Sequence, residues 1–290
     1  MRAVGIILAG GNNNRMKELT HKRAVAAMPI AGSYRSIDFA LSNMTNSHIQ
    51  KVAVLTQYNA RSLNEHLNSS KWWNFGRKQG GLYVFTPTIT NDNGYWYRGT
   101  ADAIYQNMDF LKKSHEPYVV IASGDAVYKM DYGKVLQYHI DKKADVTVVC
   151  KEMDPSDDVS RFGTIRMDDD MRITEFEEKP MVTKSNMIST GIYVIRRRLL
   201  IDLIEHAAEE ERFDFVNDVL IRYKNLKKIY GYKIDHYWSN IATVDAYYKT
   251  NMDFLKPEVR NYFFKQDPEI YSKVSDLPPA KYNPGASVKN

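Results

Sequence analysis

Cysteine is nearly absent from this chain: Cys150 is the only one in 290 residues. A lone thiol excludes an intrachain disulfide and a Cys-based zinc site, and such usage fits a reducing, cytoplasmic setting. The seven histidines show no metal-ligand spacing. No apolar run approaches the ~20 residues of a membrane span, and the N-terminus lacks a signal-peptide h-region and cleavage site, so a membrane is not expected as a partner. Charge of one sign is missing too. Net charge is +5, but 40 Lys and Arg are interspersed with 35 Asp and Glu, and the longest basic cluster is Arg196-Arg197-Arg198. A nucleic-acid surface would gather its charge on one face, so none is expected. The dinucleotide fingerprint Gly-x-Gly-x-x-Gly, the phosphate loop Gly-x-x-x-x-Gly-Lys-Ser/Thr and the hydrolase elbow Gly-x-Ser-x-Gly are all absent.

What is present begins at Val4. The stretch Val4-Gly-Ile-Ile-Leu-Ala-Gly-Gly-Asn-Asn-Asn-Arg15 runs a buried strand into a glycine pair, three asparagines and an arginine. Gly10 and Gly11 can take positive φ and let backbone N–H groups approach an anion, while Arg15 offers a planar fork to phosphate oxygens. The loop suggests a nucleotide.

Apolar β-rich runs then alternate with amphipathic patterns: Val4–Ala9, Ile37–Ser47, Val52–Thr56, Ser62–Leu67, Leu82–Phe85, Ala101–Lys113, Tyr118–Ala122, Tyr132–Asp141 and Val146–Cys150. This alternation predicts an α/β fold with a mostly parallel sheet and helices on both faces, whose ligands sit beyond the carboxyl ends of the strands. The second half meanders. It predicts short strands Phe162–Met167, Ile173–Phe176 and Ile192–Ile195, helices Arg198–His206 and Asp218–Tyr223, a strand Lys228–Ile234 and a helix Val244–Leu255, together a lid against the sheet. From Asp276 a proline-rich linker leads to Pro284-Gly-Ala-Ser-Val-Lys-Asn290, which reads as the opening of a short-period β repeat. One such coil cannot bury its own face, so the native protein is expected to continue past Asn290.

Several motifs, in order and along nearly the whole chain, resemble the glucose-1-phosphate adenylyltransferases, the ADP-glucose pyrophosphorylases of bacterial glycogen synthesis. They are Leu8-Ala-Gly-Gly11 with Arg15, Lys22-Arg23-Ala24, Arg35-Ser-Ile-Asp-Phe-Ala-Leu-Ser-Asn43, Thr56-Gln-Tyr58, Trp96-Tyr-Arg-Gly-Thr-Ala-Asp-Ala103, Gly124-Asp125 with Tyr128-Lys129, Phe162-Gly163, Glu178-Lys-Pro180, Gly191-Ile-Tyr193 and Trp238. The resemblance implies a Rossmann-like nucleotidyltransferase domain over residues 1–256, a mixed and mostly parallel sheet, then a linker and the start of a left-handed parallel β-helix over 257–290. It also implies attack by glucose 1-phosphate on the α-phosphorus of ATP, with Mg²⁺, giving ADP-glucose and pyrophosphate. Leu8, Gly10, Gly11 and Arg15 would hold the triphosphate, Gly99, Thr100 and Ala101 would lie against adenine, and Asp125 would ligate the metal. Gly163, Glu178, Lys179 and Ser189 would grip the sugar phosphate, and Lys22 with Arg23 would border an anionic effector.

The departures from the family pattern point one way. Where the family carries a lysine this chain has Val25, and an Arg-Gly-Thr before the retained arginine is replaced by Asn12-Asn13-Asn14. The segment of a base-reading Gln pair is Phe85-Thr-Pro-Thr88, and a second metal-binding aspartate, in Trp-Arg-Asp-Val-Gly-Thr, is Asn240 in Trp238-Ser-Asn-Ile-Ala-Thr243. An amide is nearly isosteric with a carboxylate but brings no charge. The chain thus looks like a GlgD-type subunit, weak or inactive by itself, and the resemblance implies a catalytic GlgC-type partner in a hetero-oligomer. A fully active pyrophosphorylase is the alternative. A metal-dependent glycosyltransferase, from Asp168-Asp169-Asp170, has less support because that triplet fits a hairpin loop.

Overall fold

The computed structural model describes residues 2–11, 14–76, 80–88, 94–274, 278 and 281–287. The apolar run Ala3–Ala9 forms the middle of a mixed sheet that has nine strands among the described residues. It pairs in parallel with Lys51–Thr56 on one side and Tyr118–Ser123 on the other, Ile7 lying level with Val54 and Ala122. Gly81–Phe85 adds in parallel beyond Lys51–Thr56. The three inner strands are covered on both faces and are therefore apolar nearly throughout, whereas the edge strand Gly81–Phe85 is only half-buried and exposes Tyr83.

The second half is not a separate lid, as its meandering pattern suggested, but completes the same sheet. Met187–Arg196 lies antiparallel to both Tyr118–Ser123 and Val146–Glu152, and Ile229–Ile234 lies parallel to the latter. The hairpin Gly163–Met167 and Ile173–Glu178 joins through Thr164 opposite Ile188. Met187–Arg196 can serve so many neighbours because it is 10 residues long, with a register shift between Ser189 and Tyr193 where Gly191 takes φ +75°. Only a glycine adopts that backbone without strain.

Helices cover both faces. Ile37 and Leu41 of Ser36–Asn46 close one core with Ile7, Val54 and Trp73, while Leu200 and Ile204 of Arg197–Glu209 close the other with Val4 and Ile121. The expected helix Ala101–Lys113 is instead two, Thr100–Gln106 and Met108–Lys112. At the break, the Asn107 side chain donates to the Ala103 carbonyl at 2.8 Å and to the Tyr97 hydroxyl at 2.9 Å, competing with the backbone ladder. The helix expected at Asp218–Tyr223 starts earlier, as the π-helix Phe215–Ile221 capped by Asp214, whose carboxylate accepts from Asn217 N–H at 2.7 Å.

A third core is largely aromatic: Phe39, Phe254 and Phe263 pack with Val25 and Ile241. Val244–Asp253 flanks it, as does Pro257–Phe264, a helix within the segment expected to be linker. Lys129 Nζ caps that helix by donating to the Tyr262 carbonyl at 2.8 Å and to that of Gln266. The chain then runs back along the body: Trp73 Nε1 donates to the Tyr271 carbonyl at 3.2 Å, Tyr271 N–H donates to Ser42 Oγ at 2.8 Å, and Ser272 Oγ donates to Asp38 at 2.6 Å. Buried Phe263 and Ile270 supply the apolar contact that a free linker lacks. Val288–Asn290 of the expected β repeat lie outside the described residues. Among the described residues no helix is long and apolar enough to cross a membrane.

Candidate functional site

A cleft of about 690 Å³ opens where the strands Ala3–Ala9 and Tyr118–Ser123 end. This is where α/β sheets expose loops and helix ends to ligands. Leu8, Gly10, Gly11 and Arg15 line it together with Asp125 and Asn240. The glycines act differently from the expectation of positive φ, since neither adopts it. A Cβ on Gly10 would come within 3.3 Å of Gln57 Cβ, whereas Gly11 faces open space and leaves its backbone bare. Asn12 and Asn13 lie outside the described residues, and Asn14 opens the 3-10 segment Asn14–Thr20.

Asp125 is placed by the turn that leaves Tyr118–Ser123. Gly124 N–H donates to the Leu8 carbonyl at 3.0 Å, and a Cβ on Gly124 would press on Ala9 and Ala26 at 3.3 Å. Asp125 Oδ1 accepts from Ser123 Oγ at 2.5 Å, and its carbonyl accepts from Ile241 N–H at 3.0 Å. The short strands Ala126–Tyr128 and Trp238–Asn240 pair antiparallel with Asn240 opposite Ala126, which sets Asn240 beside Asp125. The Asn240 amide oxygen accepts from Ala242 N–H at 3.1 Å. Val25, buried in Val25–Ala27, adds an isopropyl group to the wall.

A divalent cation at Asp125 would therefore meet one carboxylate and a neutral amide whose oxygen is already engaged. Among the described residues no group of three or more His, Cys, Asp or Glu could hold a metal. Mg²⁺ demands near-octahedral oxygen ligation and gains most from negative ligands. These residues do not fit a tightly held Mg²⁺.

The opposite wall is knit to Phe213–Phe215. Ala101 N–H donates to the Phe213 carbonyl at 2.7 Å, and Phe215 N–H donates to Thr100 Oγ1 at 2.9 Å. A Cβ on Gly99 would overlap that same Phe213 carbonyl, so glycine is required by internal packing. Gly99 and Thr100 line the cleft; Ala101 is buried in the seam behind them. Arg98 grips Asp102, with N–H to Oδ2 at 2.8 Å and Nη2 to Oδ1 at 2.9 Å, and its guanidinium lies 3.8 Å from the Phe213 ring centroid. Gln57 holds the Tyr97 backbone at both ends, accepting from its N–H at 2.6 Å and donating to its carbonyl at 3.3 Å.

Gly163, Glu178 and Lys179 come together, but only Lys179 reaches the cleft lining. Its Nζ lies 3.0 Å from Glu178 Oε1, and its φ of 48° turns the chain there. A Cβ on Gly163 would lie 2.6 Å from the Phe176 ring and 2.8 Å from Glu178 Oε2. Ser189 is buried behind the lining residue Tyr193, the two hydroxyls 3.2 Å apart, and burial pushes the Tyr193 phenol above its usual range. Lys22 is exposed and Arg23 half-buried, both outside the lining. Asp168 spends Oδ1 on the N–H groups of Asp170 and Arg172, as a hairpin-loop residue does.

Arg161 is a lining residue that motif reading missed. It is half-buried, its Nη1 donates to Thr243 Oγ1 at 3.3 Å, and its guanidinium lies 4.6 Å from the Phe162 ring centroid. Burial above all holds its pKa below the usual arginine range; Asp158 opposes this, Arg15 adds to it and Asp125 opposes it.

A sheet-end cleft with a bare glycine loop, an arginine and a carboxylate is what the comparisons with known proteins bear on. The model of the family described as nucleotidyl transferase matches residues 4–257. The chain belongs to the nucleotidyl transferase family. It is 39% identical over 289 residues to the glucose-1-phosphate adenylyltransferase of Thermosipho melanesiensis, covering 99% of this chain and 70% of that protein. To the protein of the same name from Clostridium novyi it is 39% identical over 290 residues, covering 99% of this chain and 76% of the relative. To that of Bacillus anthracis it is 41% identical over 281 residues, 96% and 74%. The resemblance to glucose-1-phosphate adenylyltransferases thus extends over the nucleotidyl transferase domain as a whole.

Proposed function

We propose that this nucleotidyl transferase is a GlgD-type, regulatory member of the glucose-1-phosphate adenylyltransferases, with little or no turnover of its own. In this reading the reaction served is ATP and glucose 1-phosphate to ADP-glucose and pyrophosphate, carried by a catalytic GlgC-type partner. The observation that carries the reading is Asn240 beside Asp125 with its amide oxygen given to Ala242 N–H. Phosphoryl-type transfer asks a protein to position groups and neutralise developing charge. Here Gly11 offers bare backbone and Arg15 a fork for phosphates, Gly99 and Thr100 present a firm wall for a base, and Lys179 stands where a sugar phosphate would end.

What is lacking is charge. At an effective dielectric near 20, one unit charge about 4 Å from an ion is worth roughly 4 kcal/mol. A barrier change of that size corresponds to about a thousandfold in rate. Val25, for its part, puts an isopropyl group in the wall where the family pattern has a cation. Lys22 and Arg23, lying outside the cleft, remain the proposed border of an effector anion. The test is pyrophosphate release by the purified chain with ATP, glucose 1-phosphate and Mg²⁺, with and without a catalytic partner. Feeble release alone and altered partner kinetics when mixed support the reading; turnover alone at the partner's rate marks the active-enzyme alternative.

A further inference from the structure

Cations in the cleft wall have unequal claims on a ligand. Arg98 is spent on Asp102, and Lys179 lies against Glu178. Arg161 differs: among the described residues it has no carboxylate within ion-pair distance, and its hydrogen bond goes to a neutral hydroxyl, Thr243 Oγ1. A guanidinium carries five N–H donors, so a half-buried one held this way is under-satisfied, and burial without a directly paired anion is costly. It is also pre-oriented. Stacking on Phe162 and the bond to Thr243 fix the plane of the fork, so little side-chain entropy is lost when an anion docks.

Arg161 also shares its surroundings with the phosphate loop. Its charge is felt alongside that of Arg15 by Asp158, and Arg161 in turn feels Asp158 first, then Arg15, Asp125 and Asp157, none of the carboxylates close enough to pair with it among the described residues. The cleft around Asp125 is thus lined by guanidinium groups from two separate segments, the 3-10 turn at Arg15 and the turn at Arg161, where the site lacks a second carboxylate.

We propose that Arg161 is an anion-binding residue of this cleft, and that with Arg15 it takes a di- or triphosphate group directly, without a divalent cation. The fork supplies the positive charge that a bridging metal would bring, in the geometry that suits paired phosphate oxygens. The proposal rests on the cleft being the phosphate site of the reading above, and extends it by naming the residue and the metal-free mode.

The test uses the full chain and inorganic pyrophosphate, titrated calorimetrically in EDTA and again in excess Mg²⁺. Binding in EDTA is expected at an affinity no weaker than in Mg²⁺, and Arg161→Gln is expected to weaken it about ten- to a hundredfold, the range for a lost charge-assisted hydrogen bond. Arg161→Lys should recover part of the loss, because the charge returns without the fork. Arg166→Ala, an exposed arginine outside the cleft, should change nothing. Unchanged affinity in Arg161→Gln overturns the proposal. Should that variant melt early, the wild-type titration decides: binding in Mg²⁺ alone overturns the metal-free mode while leaving the phosphate site standing, and binding in neither buffer removes both.

Discussion

Asn240 lies opposite Ala126 across a short antiparallel ribbon, so the carboxyl end of one strand delivers an amide to the flank of Asp125. Changing Asn240→Asp, alone and with Val25→Lys, returns a negative oxygen and a cation to this spot. We expect Mg²⁺-dependent pyrophosphate release to rise about a hundred- to a thousandfold in the double variant, measured with the chain alone. No gain would mean that charge at position 240 is not what limits the site.

Gly99 faces the Phe213 carbonyl so closely that a methyl group has no room. Gly99→Ala should cost about 1–3 kcal/mol in urea unfolding through overpacking against backbone that cannot swing aside. It should also weaken ATP binding, because Ala101 and Thr100 are held by the same seam. An unaltered midpoint would show that the seam yields freely.

Asp38 is fully buried and receives three donors: Arg35 N–H at 2.8 Å, Ser272 Oγ at 2.6 Å and the His66 ring, 2.6 Å away. Asp38→Ala should destabilise the fold by about 3 kcal/mol, since buried donors would be left without acceptors. The Ile270–Lys273 segment should loosen with it, visible as faster amide exchange at Tyr271.

His139 is buried, and its pKa is lowered to about 4 from 6.5, by burial first and Arg196 second, with Asp145 opposing. The unfolded chain therefore binds the proton more readily than the folded one. Stability is undiminished above pH ~6.5, falls as pH drops toward about 4, and levels below that, a loss of about 3 kcal/mol. The His139→Phe difference curve, from urea midpoints between pH 7 and 4, should remove this slope from the wild-type profile.

The parallel half of the sheet was legible because its inner strands are covered on both faces and carry almost no polar residue, as in Val52–Leu55. The antiparallel half was harder. Gly191 interrupts Met187–Arg196 with a bulge that breaks the alternation, so half the strand went unread. Asn107 split a helix whose apolar spacing continues through it. At the site, Gly10, Gly11, Arg15 and Asp125 lie in the cleft lining, whereas Ala101 and Gly163 lie outside it, Ala101 bonded to the Phe213 carbonyl and Gly163 packed on Phe176 and Glu178. Arg161 escaped notice because only its burial and, among the described residues, the lack of a carboxylate within ion-pair distance set it apart, and neither is written in local order.

Lys129 joins two regions that the chain orders far apart. The strand leaving Asp125 ends at this buried ammonium, which clasps the carboxyl end of Pro257–Phe264 through the Tyr262 and Gln266 carbonyls. A tug on that helix would strip a desolvated cation of its oxygens, so the end of the helix is fastened to the strand that departs from Asp125.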